Sequence, residues 1–247
     1  MKRTGVILAL ALGLMAQSAV AKTINVVTSF SILGDITRQV GGDHVKVTSL
    51  VGPDGDPHTF EPSAKDSALL NNADVVVVNG LGLEGWLDRL VKASGFKGQL
   101  VIASDGVQTH TLEEDGATVT DPHAWNSAAN GALYAQNILK ALVKADPADE
   151  AALNASGQRY IEQLKEMDSW AKERFSAIPQ AKRKVLTSHD AFGYFARAYG
   201  VEFMAPQGLS SESEANASQV AALIKQIKAD GVKVWFMENQ LDPRLVK

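Results

Sequence analysis

Two copies of the tripeptide Asp-Pro-His, Asp56-Pro57-His58 and Asp121-Pro122-His123, and a third histidine within Thr187-Ser188-His189-Asp190 point to one chemistry, metal binding. Neutral imidazole is the commonest nitrogen ligand for zinc and its neighbours, and a proline beside a histidine restricts the backbone, so the ring can be aimed with little loss of entropy. The three histidines follow one another at intervals of roughly 65 residues, too wide for a local zinc finger. They can meet only through the tertiary fold. Three imidazoles leave a tetrahedral site incomplete: a fourth protein ligand would close it for holding an ion, and a water would open it for catalysis.

Other polar residues carry weaker signals. His44 lies in the turn Gly41-Gly42-Asp43-His44 and His110 in an acidic stretch, neither with a ligand-like context. Glu61, Asp121 and Asp190 are candidates for holding imidazole N–H groups, and Trp125, two residues after His123, for walling the site from water. Trp86, Trp125, Trp170 and Trp235 are all most simply read as core or interlobe packing, while Glu212 and Glu214 have a sufficient reading as charges at a helix start. Gly80-Leu81-Gly82 lacks the third glycine and the following acid of a dinucleotide site, and no His-Glu-x-x-His helix is present.

The elements that must position these residues alternate between strand and helix. Residues 24–29 are β-rich, Ile32, Leu33, Ile36 and Val40 recur at helical spacing, and residues 45–50 alternate. Ser63 is placed to cap a helix through Leu70, residues 74–78 form a continuous valine strand, residues 84–94 a helix and residues 100–102 a strand. This predicts a parallel sheet with helices on both faces. Residues 104–120 lack periodicity and read as a surface loop. A helix follows over residues 126–144, and Asp146-Pro147 opens a long amphipathic helix running to Ile178, ~45 Å in length. The alternation then restarts, with strands at 184–187, 201–203 and 234–237, a helix at 191–199, and another opened by Ser211 and Glu214 and reaching Lys228. The fold class expected is therefore α/β, two parallel-sheet lobes joined by one long rigid helix. His58 and His189 each follow a strand, where ligands gather in open α/β sheets, outside the carboxyl ends of the strands.

Residues 1–21 read as a secretory signal: Lys2 and Arg3 precede an apolar run over residues 6–15, and Ala19-Val20-Ala21 is a small-residue cleavage site. No later stretch approaches the ~20 apolar residues of a membrane span. With no cysteine there is no disulfide and no thiol to lipidate, so a periplasmic protein without a direct membrane anchor is expected. Removing Lys2 and Arg3 takes the 24 basic residues to 22 against 28 acidic ones, a net charge of −6, which disfavours nucleic acid as a partner. The expected division is a signal peptide at 1–21, a first lobe at 22–146, a linking helix at 147–178 and a second lobe at 179–247. The second lobe reads as unfinished, because residues 242–247 look like the start of a helix with nothing to close the sheet.

At three motifs the chain resembles the metal-binding solute-binding proteins of ABC importers, the zinc and manganese uptake family. The likeness rests on His58 in its His-x-Phe-Glu-Pro run, on Asp121-Pro122-His123-x-Trp125, and on residues 188–195, with Gly208-Leu209-Ser210 in support. It implies two α/β lobes bridged by a long helix with the metal site between the lobes, one metal ion per chain, and His58, His123 and His189 as three of four ligands. The fourth would be an Asp from a late loop of the second lobe, and no residue of this chain matches it. The resemblance implies no catalysis: the protein, a monomer, would capture a divalent cation in the periplasm and deliver it to a cognate ABC permease in the inner membrane. Zinc is expected, with manganese or iron the alternative, because histidine at the His189 position resembles the zinc-binding members and nitrogen-rich sites hold zinc more tightly than manganese. Residues 104–120, however, are not the histidine-rich loop of many zinc-specific members. Two readings of other classes are a three-histidine zinc hydrolase, which also needs a general base, and a binder of an organic or tetrapyrrole ligand. The second needs a wide aromatic cleft, of which a 6% aromatic content gives no hint.

Overall fold

The computed structural model describes residues 23–114, 117–205 and 217–236. The expected signal segment, Gly208-Leu209-Ser210, the helix start expected at Ser211 and Glu214, and residues 242–247 lie outside the described residues.

The first lobe is built on β1 (Ile24–Phe30), α1 (Ser31–Gly41), β2 (Val45–Val51), α2 (Ala64–Asn71), β3 (Val75–Val78), α3 (Leu87–Ser94) and β4 (Gln99–Ile102). Its four strands form a parallel sheet in the order β2-β1-β3-β4. β3 is four consecutive buried valines, paired to β1 at Val76↔Val27 and to β4 at Val76↔Leu100. A β-branched run of this kind suits a central strand covered on both faces. Leu33, Ile36 and Val40 form the buried stripe of α1. Ser63 opens α2 as its sequence suggests: the Asp66 carboxylate accepts from the Ser63 N–H at 2.8 Å and from its hydroxyl at 2.7 Å.

Residues 104–120 are not simply a loop. They contain an antiparallel pair, β5 (Thr111–Glu114) and β6 (Ala117–Thr120), registered Thr111↔Thr120 and Leu112↔Val119. Only Leu112 and Val119 give an apolar alternation, too short a signal beside Glu113 and Glu114 to be recognised as strand.

α4 (Ala128–Ala145) and α5 (Glu150–Ser176) follow. The expected start of the long helix at Pro147 is instead a separate 3-10 turn, because the Asp146 carboxylate accepts from the Ala148 N–H and tightens that turn. α5 crosses α4 closely at Gly157, where a Cβ would lie 2.8 Å from the Leu139 methyls. At about 1.5 Å per residue α5 is about 40 Å long. Its Leu153, Ile161 and Leu164 belong to the core of the first lobe, whereas Ala171 and Phe175 pack with Tyr199, Val201 and Phe203 in the core of the second. One helix thus carries side chains of both cores.

In the second lobe β7 (Lys184–Leu186) pairs in parallel with β8 (Glu202–Met204) across α6 (Gly193–Tyr199), and α7 (Ala217–Asp230) follows. The strand expected at 234–237 is seen among the described residues as a parallel bridge from Trp235 to Leu186, with Leu186 N–H on Val234 O at 3.0 Å and Phe236 N–H on Leu186 O at 2.9 Å. Trp170 is not packed inside: it is 57% exposed on α5, with the Arg174 guanidinium 5.9 Å from its ring centre. Trp235 is 43% exposed.

Candidate metal centre

Both Asp-Pro-His tripeptides use the same local device. The Asp56 carboxylate accepts from the His58 backbone N–H at 2.8 Å, and the Asp121 carboxylate accepts from the His123 N–H at 2.9 Å. An aspartate bonding to the backbone two residues on closes a small turn, and the intervening proline fixes its φ. Each histidine is thereby presented from a short, stiff loop. The first follows the end of β2 and is held by Trp86, whose indole N–H donates to Pro57 O at 2.8 Å.

The second loop is held more firmly. Asp121 Oδ1 also lies 2.9 Å from His123 Nδ1, with both side chains 1% exposed. A carboxylate only accepts, so Nδ1 carries the proton and Nε2 keeps its lone pair for a ligand. Beneath the loop, Asn79 at the end of β3 donates to Pro122 O at 2.9 Å and accepts from Tyr134 at 2.6 Å. The Asn79 backbone N–H and the Ser29 hydroxyl in turn donate to Glu84, at 2.7 and 2.6 Å. Burial pushes the Glu84 carboxyl up, against the pull of these donors. Nothing in the sequence singles out Asn79, Glu84 or Tyr134, since a polar residue closing a buried strand becomes visible only with its partners.

His189 comes from the other lobe, separated from the end of β7 by Thr187 and Ser188, and is buried. Hydrogen bonds stitch the two lobes at this point: Asn126 Nδ2 donates to Ala191 O at 2.8 Å, and the Tyr194 hydroxyl to Asp121 O at 2.9 Å. The three histidines converge. One candidate ligand atom from each lies within 4.8 Å of the others, and the Nε2 atoms of His58 and His123 are 3.1 Å apart. Tetrahedral zinc with bonds of about 2.0–2.1 Å sets neighbouring nitrogens about 3.3 Å apart, so this spacing suits a shared cation. Without an ion, His123 Nε2 can only accept, so His58 Nε2 carries a proton and donates to it.

Burial, and then the neighbouring His123, hold the His58 imidazole down at about 4, with Asp56 opposing. The ring is therefore neutral at neutral pH, as ligation requires. Trp125 stands against His123 at 5.3 Å between ring centres and against Phe30 at 4.9 Å. The cleft around the histidines, about 730 Å³ among the described residues, is also lined by Phe175, Phe192, Phe195 and Phe203. Contrary to the expectation from overall composition, the aromatic residues gather here.

Of the three carboxylates considered from sequence, Asp121 bonds an imidazole, while Glu61 and Asp190 are exposed. His44 pairs with Asp149 at 2.8 Å at the start of the long helix, apart from the site. His110 is not in the converging group of three but lies directly behind Asp121, its Nε2 3.7 Å from Oδ2.

A pair of α/β lobes on one long helix, with imidazoles converging between them, defines a metal-binding solute-binding protein. The ZnuA family profile, described as zinc-uptake complex component A, periplasmic, matches residues 26–247. The manganese ABC transporter substrate-binding lipoprotein PsaA of Streptococcus pneumoniae is 35% identical over 248 residues, 98% of this chain and 80% of the relative. The iron ABC transporter substrate-binding lipoprotein MtsA of Streptococcus pyogenes serotype M1 is 34% identical, over 92% of this chain and 76% of its own. The periplasmic zinc binding protein TroA of Treponema pallidum superposes with a TM-score of 0.83 at 30% identity, covering 91% of this chain and 81% of that structure. The chain belongs to this family, the metal-binding substrate-binding proteins of ABC importers, which work with a membrane permease. Among the described residues no helix is long and apolar enough to cross a membrane.

Proposed function

We propose that the cargo is zinc, held by His58, His123 and His189, one ion per chain, and handed to a cognate permease in the inner membrane. The carrying observation is the convergence of three imidazole nitrogens from two lobes within 4.8 Å, in a site where two of the rings are buried. All three candidate donors are nitrogen, a set that favours zinc over manganese in the usual divalent order. Manganese is the second reading, supported by the manganese cargo for which a relative 35% identical to this chain is named. In this reading residues 22–146 and 179–247 are the lobes, 147–178 the linking helix, and the protein a monomer that catalyses nothing. It works in the periplasm after removal of residues 1–21; although several relatives are named lipoproteins, this sequence has no cysteine to carry a lipid. Metal analysis of protein purified without chelator or affinity tag, followed by competitive titration, tests the cargo. Zinc at one per chain, displaced by manganese only at large excess, is the expected result. Manganese retained against equimolar zinc overturns it.

A further inference from the structure

Resting on the assignment of His123 as a ligand, we propose that His110 is a positioning residue of the metal centre, delivered by the β5–β6 pair to the back of Asp121 so that His110, Asp121 and His123 act as one line of support.

The β5–β6 register fixes the geometry. Thr111 opposes Thr120, so the next residues outward, His110 and Asp121, face each other at the base of the pair, and the Asp121 N–H donates to His110 O at 3.0 Å. Asp121 Oδ1 is already committed to the N–H and Nδ1 of His123. Its other oxygen faces His110 Nε2 at 3.7 Å, with the two side chains 8% and 1% exposed. That Nε2 is a buried side-chain polar atom without a hydrogen-bond partner among the described residues. Buried polar groups in folded proteins are rarely left so, and a shift of less than 1 Å closes this bond.

Two further contacts hold the imidazole in place. Its ring packs on Tyr194 with centres 4.0 Å apart, and Tyr194 donates through its hydroxyl to the Asp121 carbonyl. Gly193 lies against both groups: a Cβ there would meet Asp121 Oδ2 and His110 Cε1 at 2.6 Å. The missing side chain leaves room for carboxylate and imidazole to face each other. When a dication withdraws charge through His123, the Nδ1–H leans harder on Asp121, and a donor on Oδ2 keeps the carboxylate from swinging. The hairpin therefore has a task that its polar sequence does not announce.

The test uses calorimetric zinc titration and thermal unfolding of the wild type, His110→Phe, His110→Gln and His123→Ala. Phenylalanine keeps the ring on Tyr194 but cannot donate, whereas the glutamine amide nitrogen reaches about as far as Nε2. The expected result is a loss of about tenfold in affinity for H110F at an unchanged metal-free Tm, with H110Q within about threefold of wild type. Wild-type affinity in H110F, or an equal loss in H110Q, overturns the proposal. Should H110F fail to fold, nitrogen-15 NMR of the wild type decides: the His110 Nε2 resonance moves to a hydrogen-bonded value on zinc addition, and an unmoved resonance overturns it. If H123A binds zinc like the wild type, the ligand assignment itself falls and this proposal with it. A weak H123A beside an unaffected H110F removes His110 alone.

Discussion

Asp121 places one carboxylate oxygen 2.9 Å from both the backbone N–H and Nδ1 of His123, so a single aspartate sets the loop, the tautomer and the ring direction. The companion Asp56 accepts from the His58 backbone N–H at 2.8 Å and so sets the loop. Asp121→Ala is therefore expected to weaken zinc binding about 10- to 100-fold, and Asp56→Ala by less. Calorimetric titration of both variants measures the order. Equal losses would mean that the Nδ1 contact contributes nothing.

The burial that keeps His58 neutral has a consequence for stability. Its folded-state value of about 4 lies below the ordinary 6.5, so between those values the unfolded chain binds the extra proton. Stability of the metal-free protein should accordingly fall as pH drops from about 6.5 to about 4, with His58 contributing at most a few kcal/mol. His58→Ala should flatten that part of the Tm-against-pH curve. Parallel curves for wild type and variant would show that His58 does not titrate as its surroundings dictate.

Much of the arrangement is legible in the amino-acid sequence. The four valines of β3, the Ser63 helix start and the long helix declare themselves through residue type and periodicity, and the two Asp-Pro-His tripeptides mark their histidines by repetition. What is not legible depends on distant partners. β5 and β6 are threonine- and glutamate-rich, with only Leu112 and Val119 to show their alternation, and His110 gains meaning only from the register that sets it opposite Asp121. Trp170 departs from expectation because a large aromatic ring on an amphipathic helix suggests burial, whereas here it is a single exposed side chain beside Arg174. The roles of Asn126 and Tyr194 arise from hydrogen bonds between lobes, which no local pattern encodes.

Tyr199 supplies another such link. Its hydroxyl accepts from the Ala128 N–H at the start of α4 at 3.1 Å and donates to the buried Asp168 on α5 at 3.2 Å. Tyr199→Phe leaves both partners short of a bond, and a loss of about 1–3 kcal/mol is expected. Thermal or urea unfolding reads it. An unchanged midpoint would mean that water replaces the hydroxyl at no cost.

His58→Ala, His123→Ala and His189→Ala should each weaken zinc binding at least about tenfold, while His44→Ala, whose ring is bonded to Asp149, should stay near wild type. Titration of the four variants under one buffer gives the comparison. A wild-type affinity in any of the first three removes that residue from the ligand set.

The central claim, that three imidazoles from two lobes hold the cargo together, is tested most directly by X-ray absorption at the zinc edge on the loaded protein. Three histidine nitrogens at about 2.0–2.1 Å are predicted for the wild type, falling to two in His189→Ala. A wild-type spectrum with fewer than three imidazoles, or one that His189→Ala leaves unchanged, would contradict it.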